Sequence, residues 1–123
     1  MLAFVNAAHA QLAGEYVDEK FLNGHGSIHV TVSQKGNDVS ISFHAFHHDT
    51  PDVGVRFTAT AKTFPRAEDP VHFTFEDTCK NSGDGVIGSG KNILDVGIRA
   101  TQITDFSCLV FYQTNMVLKR VKH

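Results

Sequence analysis

The chain has 123 residues and a formal net charge of −2, from 11 Lys and Arg against 13 Asp and Glu. That balance excludes the clustered positive surface a nucleic-acid or anionic-membrane binder needs, and no apolar run approaches the roughly 20 residues of a membrane-spanning helix. A chain of this length buries a single core without staples, and ten Phe, two Tyr and no Trp make phenylalanine its main aromatic filler.

Residues 1–11, MLAFVNAAHAQ, differ from all that follows in being Ala-rich and free of charge. Ala8-His9-Ala10 has the small-residue spacing of a signal-peptidase site, and Leu2-Ala3-Phe4-Val5 resembles the tail of an apolar stretch. The segment is therefore either the truncated end of an export signal or a short N-terminal helix, and residues 12–123 form the single domain.

Gly14-Glu15-Tyr16-Val17 opens a first strand, which Asn23-Gly24-His25-Gly26 turns into a second at Ser27-Ile28-His29-Val30-Thr31-Val32-Ser33. Lys35-Gly36-Asn37-Asp38 interrupts the alternation, Val39 to Ala45 resumes it, and Val55 to Lys62 repeats it after His47-His48-Asp49-Thr50-Pro51-Asp52. Period-two alternation between turn residues marks strands buried on one face. Phe64 to Pro70 is a loop, because its prolines cannot sit inside a ladder. Val71 to Glu76 alternates as a fifth strand. Asn81-Ser82-Gly83-Asp84-Gly85 has the composition of a turn into a glycine-rich sixth strand, Val86 to Ser89. Gly90-Lys91-Asn92 leads to a seventh, Leu94 to Thr101. Cys108 to Tyr112 with Met116 to Leu118 is expected to supply an eighth, in one piece or two.

Short strands in sequential hairpins predict an all-β, single-domain, antiparallel up-and-down β-barrel of about eight strands, closed so that no edge is exposed. The alternation sends Ile28, Val30, Val32, Ile41, Phe43, Val55, Phe57, Ala59, Val71, Phe73, Phe75, Leu94, Val96 and Ile98 inward. An eight-stranded interior is either filled by side chains or holds one small ligand. In the second case Phe43, Phe57, Phe73 and Phe75 line an apolar binding site.

The Gly-x-Tyr opening at Gly14 and Tyr16, and the final strand ending on Lys119-Arg120, resemble the small exported bacterial barrels of lipocalin or avidin type. The likeness spans residues 14 to 121 as a pattern, and it implies an apolar-ligand cavity and no catalysis. Cys79 and Cys108 are an even pair; in an exported chain they are expected to be bridged, and in a reducing compartment they are free thiols.

Eight histidines are present. If Gly36-Asn37 is the centre of a two-residue turn, Lys35 faces Asp38, His29 faces His44 and His25 faces His48, both histidine pairs on the outward face. Opposed side chains about 5 Å apart at Cβ are close enough for two imidazoles to share a metal. His25, His48 and Asp49 are thus a candidate Zn or Cu site at the loop end of the hairpin, the alternative reading being a set of solvent-facing polar positions. The next hairpin sets Arg56 beside His44, which disfavours a cation there. His72 and Glu76 share a face but stand about 13 Å apart, too far for a catalytic pair. The expected function is non-enzymatic: a periplasmic or secreted barrel binding a small apolar ligand or a partner protein, the alternative being a periplasmic transition-metal-binding protein.

Overall fold

A strand with one apolar face has to hide it, and a meander hides all its faces at once by curling on itself. The computed structural model, which describes residues 12–50, 54–62 and 70–122, shows that outcome. The export-or-helix segment 1–11 and the loop 64–69 lie outside the described residues. The strands are β1 (Gly14–Phe21), β2 (Gly26–Lys35), β3 (Asp38–His47), β4 (Gly54–Lys62), β5 (Val71–Glu76), β6 (Ser82–Ser89), β7 (Ile93–Gln102) and β8 (Met116–Arg120), with a 3-10 helix at Phe106–Phe111 before the last. All pairings are antiparallel, in the order β4-β3-β2-β1-β8-β7-β6-β5.

The first and last strands are therefore neighbours, and the break in the sheet falls in mid-chain, between β4 and β5. Arg56 and Thr78 bridge this seam. The Thr78 N–H donates to the Arg56 carbonyl at 3.0 Å, and the Arg56 N–H donates to Thr78 Oγ1 at 3.2 Å. The result is a nearly closed up-and-down barrel, as the alternation predicts.

The β2–β3 register is the one that the Gly36-Asn37 turn dictates: Lys35 with Asp38, Val32 with Ile41, Val30 with Phe43 and His29 with His44. Every residue of the predicted inward set is buried. The rings within it pack on one another, Phe43 stacked on Phe57 at 4.8 Å and Phe57 on Phe75 at 4.5 Å, with Phe73 at 5.9 Å from Phe57. Pairs of this kind contribute about 1 kcal/mol each beyond the area they bury.

Two expectations are corrected. The sixth strand begins at Ser82, so Asn81 to Gly85 is not the turn. Its glycines are there for packing: a Cβ on Gly85 would stand 2.7 and 2.9 Å from two carbons of the Phe73 ring and closer still to a third. The turn lies earlier, where the Asp77 N–H donates to the Asn81 carbonyl at 2.9 Å and Lys80 takes a positive φ of 62°. The eighth strand is only Met116–Arg120. Cys108 to Phe111 is helical because Asp105 caps that turn, accepting from the Ser107 N–H at 2.9 Å, and because Cys108 is tied down. Cys79 and Cys108 form a disulfide, with Cα atoms 6.6 Å apart. Among the described residues, no helix is long and apolar enough to cross a membrane.

Candidate functional site

Two regions of the barrel assemble polar and aromatic groups in ways that packing alone does not require. The first is the segment Ile103 to Tyr112, which runs across the end of the barrel where β5 turns into β6. Asn81, fully buried, organises it. Its Oδ1 accepts from the Thr104 N–H at 2.6 Å and the Asp105 N–H at 2.9 Å, and its Nδ2 donates to the Asp105 carbonyl at 2.9 Å. Asp77, also buried, accepts the Cys79 N–H at 2.7 Å and the Asn81 N–H at 3.0 Å on Oδ1, while Oδ2 accepts the Tyr112 hydroxyl. Burial, then the hydrogen bond to Asp77 and its negative charge, push the Tyr112 phenol far above its ordinary range. The Tyr112 ring enters the interior cluster, 5.4 Å from Phe75 and 6.1 Å from Phe43, and Phe111 meets His47 at 5.0 Å. With the disulfide, these contacts pin the segment at several points.

This pinned segment presents large apolar side chains outward, between the exposed Thr104, Asp105 and Ser107. Four large hydrophobic side chains are exposed among the described residues, and three of them, Ile103, Phe106 and Val110, belong to it. Phe106 is 73% exposed. The short helix turns Cys108 and Phe111 into the protein and leaves Phe106 and Val110 outside.

The second region is the outer face of β3 and β4 up to the seam. Phe46 points outward here, and it is surrounded by imidazoles: His44 at 4.7 Å, His29 at 5.6 Å and His48 at 6.3 Å, ring centre to ring centre. The His48 Nε2 lies 2.6 Å from the hydroxyl of Ser27, which is itself buried. Burial, then the neighbouring Arg56 and His29, lower the pKa of His44. At the seam, a cleft of about 410 Å³ opens between Ser42, His44, Arg56 and Thr58 on one wall and Glu76, Asp77 and Thr78 on the other, over Phe43 and Phe57.

The residues singled out in the sequence fall as follows. Phe43, Phe57, Phe73 and Phe75 face the interior together, and each is in ring contact with at least one of the others. His25 and His48 are joined through the backbone, the His48 N–H donating to the His25 carbonyl at 2.9 Å, while both side chains and Asp49 are exposed. Among the described residues, the group that brings three metal-ligating atoms within 4.8 Å of one another is Cys79, Asp105 and Cys108, and its two sulfurs are bonded to each other. Gly14, Tyr16 and Arg120, from the opening and final strands, meet at the β1–β8 pairing. Arg120 lies over the Tyr16 ring at 4.9 Å, donates to the Tyr16 hydroxyl at 2.7 Å and to the Ala13 carbonyl at 2.8 Å, and approaches so near that a Cβ on Gly14 would stand 2.5 Å from its Nη1.

Phe46, Asn81, Phe106 and Tyr112 were not singled out by the sequence. Phe46 had a legible signal: it shares the parity of His44 and His48 and so had to face outward. The others are set by contacts between segments distant in the chain, which no local pattern records. Comparison of the chain with models of known protein families, with characterised proteins and with solved structures gives no match.

Proposed function

We propose that the protein is a non-enzymatic binding barrel that engages an apolar surface of a partner protein through the pinned segment Ile103 to Val110. One observation carries this reading: Phe106 is 73% exposed on a backbone that a disulfide and the buried Asn81 hold in place. An exposed aromatic on a preorganised backbone loses little entropy on binding, which is how a small number of residues come to dominate an interface. Between the two modes expected from the sequence, a small apolar ligand inside or a partner outside, the interior packing favours the second, because the four Phe rings and Tyr112 take up one another's faces.

The disulfide supports residence in an oxidising compartment, periplasmic or secreted. The Gly14, Tyr16 and Arg120 assembly supports kinship with the lipocalin and avidin barrels, here with the outer surface used for recognition in place of the cavity.

A photo-crosslinking residue placed at position 106, with a control at the exposed Thr31 on β2, tests the reading in extracts and medium of the source cells. The expected result is a discrete adduct from position 106 alone, abolished by excess unlabelled protein and persisting against excess Phe106→Asp. Equal labelling from both positions, or equal competition by Phe106→Asp, overturns it.

A further inference from the structure

The seam cleft carries a second proposal, independent of the pinned segment. In an antiparallel ladder, a residue whose N–H and C=O turn away from one neighbouring strand offers both to the other, and this alternates along the chain. Arg56 turns both groups toward β5, where Thr78 takes them. Two residues on, Thr58 has the same orientation, and β4 and β5 share no ladder pair. Beside the cleft, β4 and the end of β5 are therefore joined at Arg56 and Thr78 and not by a ladder.

The side chains around that opening are complementary in charge and are not satisfied by each other. Arg56 and Glu76 line the same cleft, both are exposed, and the ion pairs among the described residues are Lys62 with Asp38 and Arg99 with Asp84. Neither Arg56 nor Glu76 has an ionic partner among the described residues. The second carboxylate of the cleft, Asp77, is already occupied by three donors, so Glu76 supplies the available negative charge. The depressed pKa of His44 leaves it a neutral hydrogen-bonding group beside Arg56 and not a second cation. Ser42 and Thr58, paired across β3 and β4, add hydroxyls. Phe43 and Phe57, whose rings stack in the barrel interior, line the cleft as well.

We propose that this cleft binds a small zwitterion of the amino-acid class, its carboxylate on the Arg56 guanidinium and its ammonium group on Glu76. A guanidinium grips a carboxylate through two parallel hydrogen bonds. One cation and one anion on the protein match one of each on the ligand, and a singly charged molecule leaves one protein charge unanswered. The volume of about 410 Å³ lies within the range of small-molecule sites.

Calorimetric titration of the intact protein with each of the common amino acids tests this, with acetate and methylammonium as singly charged probes. The expected result is saturable binding of at least one amino acid, weakened about tenfold by Arg56→Gln and about tenfold by Glu76→Gln. Both replaced side chains are exposed, and an unchanged unfolding midpoint checks their folds. Capping the ligand tests the same claim without altering the protein: the N-acetyl and the C-amide forms of the best binder each lose about tenfold in affinity. Absence of binding by every amino acid at concentrations up to about 10 mM overturns the proposal. Acetate binding as tightly as the amino acids, with Glu76→Gln without effect, overturns it as well, by reducing the cleft to an anion site.

Discussion

The hydroxyl of Tyr112 donates to Oδ2 of Asp77 across 35 residues of chain, joining the segment that closes one end of the barrel to the turn between β5 and β6. Asp77 is acceptor to both that turn and that segment, and Asn81, four residues later, holds the segment from the other side. The turn and the segment are thus one structural unit, with the disulfide as a third link.

Alkaline pH tests the Tyr112 bond. Burial raises the pKa of both tyrosines above the ordinary value of 10.0, at Tyr112 with the help of Asp77 and at Tyr16 against the pull of Arg120. Above pH 10 the unfolded chain loses phenolic protons that the folded chain keeps. Stability present below that pH therefore falls as pH rises through it. The chain has two Tyr and no Trp, so phenolate absorbance is easy to read. We expect neither tyrosine to titrate ahead of unfolding, and Tyr112→Phe to flatten the alkaline decline in denaturation midpoint.

Reduction of Cys79–Cys108 removes a crosslink spanning 29 residues of sequence. The chain-entropy model gives about 3.5 kcal/mol for a loop of this size. Urea unfolding of the Cys79→Ser, Cys108→Ser double variant is expected to show a loss of that order, with faster amide exchange concentrated between Ile103 and Tyr112.

Asn81→Ala removes, at a fully buried side chain, the partner of the Thr104 and Asp105 N–H groups and one of the two donors to the Asp105 carbonyl. Its expected cost is about 2 to 4 kcal/mol, measured as a shift in urea midpoint at unchanged slope. For a single side chain that makes no ion pair, this is a large effect, and it follows from the three hydrogen bonds Asn81 makes to Thr104 and Asp105.

The glycines of β6 separate turn chemistry from packing. Gly85→Ala drives a methyl into the Phe73 ring, which is itself buried beside Phe57. The expected cost is about 1 to 3 kcal/mol. At Gly88 an added Cβ meets nothing within 4 Å, so Gly88→Ala is expected to be neutral or stabilising by up to about 1 kcal/mol. Thermal unfolding of the two variants side by side checks the contrast.

Much of the barrel was legible because strand alternation is local. Lys35-Gly36-Asn37-Asp38 fixes the β2–β3 register, and parity then places His29 against His44 and Phe43 in the core. The same logic failed at Gly83 and Gly85, because a glycine that makes room for the backbone or a ring of a neighbouring strand has the same letter as one that bends a turn. It failed at Cys108 to Phe111 because a short apolar run has no period long enough to tell strand from helix. What decided the matter there was the Asp105 cap and the bond to Cys79. The candidate sites were less legible than the fold. Asn81, Tyr112 and Asp77 converge from positions up to 35 residues apart, and the exposure of Phe106 follows from that convergence, not from its neighbours in sequence.

Methyl NMR spectra recorded during titration with a small apolar probe address most directly whether recognition takes place outside the barrel. The account predicts that the methyls of Ile103 and Val110 shift, that Phe106→Asp abolishes those shifts, and that the interior methyls of Val30, Val55 and Leu118 stay in place. Saturable shifts of Val30, Val55 and Leu118, with Ile103 and Val110 unaffected, would contradict it and return the binding site to the interior.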